Sequence, residues 1–262
     1  MACTYTLKSE RCEDRVKLTH KHLAATPAKP LPTLVNLAAK FPPCYDQGDL
    51  GSCTANALVG VFQFDDRTFY GSRLFLYYNE RKRDNNLKDD AGSTVSCGIV
   101  SLTMDGIAPE ADWPYVTKKF NVCPPSTAYK DALKHKAIVS SHIAQDLQSL
   151  KTCLANGLPI AIGIMVYKSF ESQQVTRNGI VPMPAPSEEC LGGHAVVVVG
   201  YNDVTGRWIL RNSWGTSWGD HGYFYLPYAY LLTSAHLASD FWVVGSVTSA
   251  NGAKITAALK QA

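Results

Sequence analysis

From Ser52 the apolar residues Ala55, Leu58, Val59, Phe62 and Phe69 recur at helical intervals, which predicts a helix with Ser52 as its N-cap. The run RLFLYYNERKR continues that helix, and a polar loop DNNLKDDAGS follows. TVSCGIVSLTMDG is a second apolar-periodic segment, stopped near Gly106. PEADWPY is rich in turn formers, and TAYKDALKHK predicts a short helix. Beyond it the period changes. KAIVSSHI, PIAIGIMV, HAVVVVGY, RWILRNSW, GYFYLP and DFWVVGSV are β-rich runs bounded by Gly, Asn, Asp and Pro. One helix interrupts them, QDLQSLKTCLANG, with Asp146 near its start and Gly157 just past its end.

Helices first and strands second predict an α+β protein with two segregated lobes and a cleft between them. The helical lobe is expected over about 44–137, the β-rich lobe over about 138–238 and a last strand over 240–248, all within a domain at 39–249. Residues 1–38 are an extension, polar and basic, ending in TPAKPLPT, whose prolines favour extended backbone. Residues 250–262 are a tail with no evident packing role.

Composition adds limits. Hydrophobic residues make up 46% and charged residues 18% of 262, so a sizeable core is available and wholesale disorder is excluded. The net charge of +3 is too small to argue for nucleic acid or membrane as the main partner. No run approaches the roughly 18 apolar residues of a membrane span. The first residues, MACTYTLKSERCEDRVKL, lack the apolar core of a secretory signal, which leaves a cytoplasmic location or a non-classical export route open. Eight cysteines do not by themselves decide the redox compartment. Cys3 and Cys12 with His20 and His22 match no standard zinc finger, so no metal or other cofactor is expected.

Three fragments carry chemistry: QGDLGSC (Gln47 to Cys53), GGHAVVVVGY (Gly192 to Tyr201) and ILRNSWGTSWGDHGY (Ile209 to Tyr223). A thiol at a helix N-terminus beside an imidazolium can have its pKa lowered from about 8.5 to roughly 3.5–7.5, and the thiolate is a strong nucleophile. Cys53 has that placement, after two small residues that let a substrate approach. His194 follows two glycines and opens an apolar strand, where it can serve as the base. Asn212 ends a strand and can accept from the imidazole N–H, fixing one tautomer. Trp214 can shield that bond from water. Gln47, six residues before Cys53, can offer an amide N–H beside the Cys53 backbone N–H to a developing oxyanion. Taken alone, Cys53 would read more readily as a buried structural thiol. The four together do not.

These fragments resemble the papain family of cysteine peptidases, which has Gln, Cys, His and Asn in this chain order, with NSWG at the asparagine. In that family the histidine and asparagine lie about 130–150 residues after the cysteine; here they lie 141 and 159 after it. The likeness covers roughly residues 42–248. It implies the papain-like two-lobe fold, with a helical lobe and an antiparallel β-barrel-like lobe. It implies a cysteine endopeptidase acting through a Cys-His thiolate–imidazolium pair and a thioester intermediate. Polypeptides would be its substrates, cystatin-like proteins or epoxysuccinyl compounds its inhibitors, and a monomer its state. By the same likeness Gly92 would pair with bound peptide backbone, and Ser239 would close the pocket for the second side chain before the scissile bond. Gly192 and Gly193 would keep that region roomy, and Trp218 would line the leaving-group side. There are departures: Leu50 stands where the family has a disulfide cysteine, and Thr54 replaces a tryptophan.

Two other functions share the same residues. A Cys-His acyltransferase or transglutaminase-like enzyme would use the same thioester, and an inactive papain-fold binding protein would keep the fold without the chemistry. The extension is too short for the family's helical inhibitory propeptide. At up to ~3.3 Å per residue, about 20 residues can still span some 66 Å. Part of residues 1–38 is therefore expected to lie over the cleft and limit access, as in a zymogen.

Overall fold

The computed structural model describes Tyr5, Leu7, Lys8, residues 30–248 and residues 254–256. The expected Cys3, Cys12, His20 and His22 lie outside them. The helical half is built from α1 (Cys53–Asp65), α2 (Arg73–Arg83), α3 (Val95–Met104) and α4 (Ser126–Ala132). α1 is apolar on nearly every side and almost wholly buried, as a helix at the centre of a fold must be. α2 is a separate helix and does not continue α1, contrary to the sequence expectation. The chain leaves α1 at Asp66, and the Ser72 hydroxyl accepts the Phe75 N–H at 3.0 Å to start a new helix. Phe69 falls in the break, where it packs on Phe62 and His135. α3 is capped by the Thr94 hydroxyl, which accepts the Cys97 N–H at 3.0 Å. Just past its end comes Gly106, where φ is +77° and any β-carbon would strike the Ala132 carbonyl.

The strand half is one antiparallel sheet of β2 (Ala137–His142), β3 (Ile160–Tyr167), β4 (Cys190–Asn202), β5 (Arg207–Arg211), β6 (Tyr223–Pro227) and β7 (Ala238–Thr248), ordered β2-β7-β3-β4-β5-β6. α5 (Leu147–Ala155) lies between β2 and β3 in sequence, and the short helices α6 (Gln173–Asn178) and α7 (Tyr228–Leu232) were not legible as periodic patterns. β4 is longer than expected. It starts at Cys190, because Gly192 and Gly193 still pair with Val166 and Met165 of β3. His194 is therefore inside the strand rather than at its opening. β4 is flanked by β3 up to Val198 and then by β1 (Leu34–Asn36), which takes the same edge from Gly200 to Asn202. The sheet thus takes in residues ahead of the expected domain start at 39. In the tail the backbone of β8 (Lys254–Thr256) pairs with β7, so the tail adds a strand. One apolar core runs from α1 through β3, β4 and β7. It sets the first turn of α1 against β4, where the chemistry-bearing residues meet.

α5 tests the local reading. The Asp146 carboxylate accepts the Ser149 N–H at 2.8 Å and the Ser149 hydroxyl at 2.6 Å. Asp146→Ala removes this cap and is expected to cost about 1 kcal/mol and roughly 2–4 °C of melting temperature. An unchanged midpoint would mean that packing alone holds α5.

Candidate active site

Cys53 is the first residue of α1 and is 1% exposed. Ser52 holds the N-cap position but does not cap with its side chain; its hydroxyl meets the Tyr115 hydroxyl at 2.5 Å and accepts the Asn56 amide at 3.0 Å. The Cys53 sulfur lies within hydrogen-bond reach of the backbone N–H groups of Ala195, Thr54 and Cys53 itself. Ala195 follows His194 on β4, so the backbone group that the thiol meets is one residue along the strand from the imidazole.

His194 Nε2 and Asn212 Oδ1 are 2.8 Å apart. The Asn212 oxygen also accepts the Ser213 backbone N–H at 2.8 Å, which fixes the amide's orientation. Nε2 must therefore carry the donated hydrogen, and Nδ1 is left for the thiol proton. Trp214 stacks on the His194 ring at 4.9 Å between centroids. Trp218 lies one layer further in. It packs edge-on to Trp214 and stacks on Phe170 at 5.5 Å, and it is buried.

Gln47 is held at both ends of its amide. Oε1 accepts the Ser213 hydroxyl at 2.6 Å, and Nε2 donates to the Leu50 carbonyl at 2.9 Å. One amide hydrogen remains. Leu50, in place of a half-cystine, is a buried apolar side chain, and Thr54, in place of a tryptophan, donates its hydroxyl to Glu80 at 2.5 Å. Glu80 is fully buried, and burial drives its pKa well up, which favours its neutral form. Sequence reasoning missed Glu80 and the part of Ser213: neither stands out in spacing or type.

The described part of the extension crosses this site as a strap. The Leu7 N–H donates to the Gly193 carbonyl of β4 at 3.1 Å, and the Lys8 N–H donates to the Ser93 carbonyl, just before α3, at 3.2 Å. Two backbone bonds one residue apart thus join the strand lobe to the helical lobe. Tyr5 presents its ring edge to His194 and Trp214 at 6.2 and 6.1 Å and donates its hydroxyl to Glu171. The Lys8 ammonium is 3.4 Å from Asp84. The strap lies on glycines. A β-carbon at Gly192 would come within 2.8 Å of Tyr5, at Gly193 within 2.8 Å of Leu7, and at Gly163 within 2.5 Å of Leu7. Ser239 faces Gly163 across β3 and β7, its hydroxyl at the same spot. Gly92 (φ +66°) spends its N–H on the Tyr77 hydroxyl at 3.1 Å, and the strap meets the next carbonyl, that of Ser93.

Electrostatics under the strap differ from the expectation of an ionised thiol. Burial pushes the Cys53 thiol up to about 12, against the three N–H groups that favour its anion. Burial pushes His194 down to about 4, against its bond to Asn212. With the strap in place both groups are neutral. Cys44, Cys53, Cys123, Cys153 and Cys190 carry free thiols, and among the described residues no cluster of His, Cys, Asp and Glu could hold a metal ion.

A helix-borne thiol, a strand-borne imidazole and an asparagine that fixes it, set between a helical and an antiparallel half, define a cysteine peptidase of the two-lobed type. A family model described as papain family cysteine protease matches residues 84–234, and the chain belongs to that family. An uncharacterized peptidase C1-like protein of Acanthamoeba polyphaga mimivirus is 42% identical over 217 residues, covering 78% of this chain and 70% of that protein. A probable cysteine protease of Arabidopsis thaliana is 30% identical over 75% of this chain, which spans 43% of the plant protein. Among solved structures, xylellain, a cysteine protease from Xylella fastidiosa, superposes with a TM-score of 0.80 at 36% identity, covering 92% of this chain and 96% of that one.

The buried histidine makes stability depend on pH. The unfolded chain takes up a proton on His194 near pH 6.5, whereas the folded chain resists it until about pH 4. Stability from this group is complete above pH 6.5 and is lost as pH falls through that window, by an amount on the order of 1–3 kcal/mol. Urea unfolding of His194→Gln at pH 7, 5.5 and 4.5 is expected to give a shallower fall than wild type. Parallel falls would exclude a neutral buried His194.

Proposed function

We propose that this peptidase hydrolyses internal peptide bonds with Cys53 as nucleophile, His194 as acid and base, Asn212 as the residue that orients His194, and Gln47 as oxyanion donor. The observation that carries the reading is the 2.8 Å contact of His194 Nε2 with an Asn212 oxygen whose orientation Ser213 fixes, one residue from the N–H that meets the Cys53 sulfur. His194 Nδ1 takes the thiol proton, and the sulfur attacks the scissile carbonyl carbon. The resulting oxyanion accepts from the remaining Gln47 amide hydrogen and the Cys53 backbone N–H. Collapse breaks the C–N bond while His194 returns its proton to the leaving amine. Water, giving a proton to the same Nδ1, then opens the thioester and frees a carboxylate. Ser239 and the three glycines accept a side chain in the place that Leu7 fills, and backbone pairing falls to the Gly92–Ser93 turn.

The segment that holds Tyr5, Leu7 and Lys8 acts on this reading as a cover, which makes the chain a zymogen in behaviour. Its support is the pair of backbone bonds across the cleft and the neutrality of the covered thiol and imidazole. Once the cover lifts, water and the three N–H groups lower the thiol's pKa and stabilise the ion pair.

Two experiments test these assignments. An epoxysuccinyl inhibitor is expected to label wild type at one site and Cys53→Ala not at all, and Gln47→Ala is expected to lower kcat by about 10²–10³. Labelling that survives Cys53→Ala would remove Cys53 from its role. Tyr5→Ala combined with Leu7→Ala is expected to raise kcat/KM on peptide substrates at least about tenfold, because it removes the apolar contacts of Tyr5 and Leu7 with the cleft. Kinetics equal to wild type would exclude the cover.

A further inference from the structure

Asp240 is an acidic residue buried to 5% exposure in β7, next to Ser239, with a left-handed φ of +58°. The strand is bulged at this point. Ala161 pairs with Trp242 and Gly163 with Ser239, so Ile162 alone faces both Asp240 and Phe241. A bulge of this kind turns a side chain off the face that strand alternation would give it. Here the turned carboxylate crosses to the helical half. Oδ2 accepts the Ser96 N–H at 2.9 Å, the Val95 N–H also points to the carboxylate, and Oδ1 accepts Trp242 Nε1 at 2.5 Å. Val95 and Ser96 are the first two residues of α3. Thr94 serves Cys97 with its hydroxyl and Gly98 with its carbonyl. One residue from each half therefore completes the start of a single helix, and no orphan N–H is left there.

The place of this tie gives it a use. Two residues upstream of Val95 is Ser93, whose carbonyl pairs with the backbone crossing the cleft. One residue before Asp240 is Ser239, at the glycine floor that receives Leu7. We propose that Asp240 is a positioning residue for peptide binding: it fixes the backbone-pairing lip at Ser93 at a set distance from the side-chain pocket at Gly163 and Ser239. A left-handed backbone at a residue other than glycine is costly and persists only where surrounding contacts enforce it. Asp is among the residues that best tolerate it, and only an acceptor reaches both N–H groups. His142 on β2 pairs with Trp242 and sets its ring edge-on to the indole that donates to the carboxylate. The inference rests on the reading of the cleft as a peptide site.

The test uses the full chain with Asp240→Ala and Asp240→Asn. Asn accepts left-handed backbone and keeps one acceptor oxygen, so it is the conservative variant. Hydrogen exchange at the Val95 and Ser96 amides is expected to rise at least about tenfold in Asp240→Ala and less in Asp240→Asn. Per site labelled by the epoxysuccinyl inhibitor, KM is expected to rise by roughly 5–10-fold in Asp240→Ala, and less in Asp240→Asn, with the loss in KM rather than kcat. Preference among side chains at the pocket position should relax in the same order. A purely structural role would lower the fraction of labelled sites and leave KM and preference per labelled site unchanged. That outcome, or unaltered exchange at Val95 and Ser96, would overturn the proposal. If wild type itself neither labels nor cleaves, it is the peptidase assignment that fails, and the exchange measurement still decides whether Asp240 holds the lip.

Discussion

The short bond between His194 and Asn212 is the constraint around which this molecule is arranged. An imidazole has two nitrogens, and only a fixed acceptor at one of them leaves the other with a defined task. The acceptor is fixed by a backbone N–H of the following residue. His194 stands on β4 in the middle of the sheet, and Asn212 directly follows β5, the strand beside it. The bond lies under Trp214 in a place that water does not reach. In such surroundings a hydrogen bond is electrostatically stronger than at the surface, and a missing partner would be costly. The long apolar strand that carries His194 has its reason here: a less deeply anchored histidine could not hold the geometry.

Much of this was legible in the chain. Gln47, Cys53, His194 and Asn212 announce themselves because catalytic chemistry uses few residue types and the spacing between them reflects loops of fixed length. The change from three-and-four spacing to β-rich runs after Lys136 marks the two halves. What was not legible has physical causes. The break between α1 and α2 is set by one serine cap, and Phe69 within the break keeps the helical spacing, so periodicity runs across it. The onset of β4 at Cys190 hides behind two glycines, which weaken any strand pattern yet are required where Tyr5 and Leu7 press on the sheet. Asp240 could not be assigned because its contact depends on a bulge, and bulges leave no mark in composition. Ser213 was inside a quoted motif, but its bond to Gln47 links residues 166 apart.

The charge state of the site follows from its burial rather than from its residue types. The sequence favours an ionised sulfur, since a helix start and an imidazole both lower a thiol's pKa. The folded chain carries those elements and still holds the thiol and the ring neutral, because desolvation outweighs them. The two readings describe one site in two conditions of hydration. On the proposed reading, a segment over the Cys-His pair would suppress its reactivity as well as block access to it. Lys8 and Tyr5, with Asp84 and Glu171 as partners, hold that segment by polar contacts at its edges, and Leu7 seats it by shape.

The bond from Ser213 to Gln47 has a mechanical meaning. Gln47 belongs to the loop that leads into α1, and Ser213 to the turn that leaves β5. The group proposed to receive the oxyanion is thus also a rivet between the two halves, with the Gln47 N–H to Ser213 carbonyl bond of 2.9 Å beside it. Any gaping of the halves would pull that rivet and spoil the oxyanion pocket at the same moment. On the proposed reading, a substrate is therefore bound without the two halves parting, which favours an extended segment of chain.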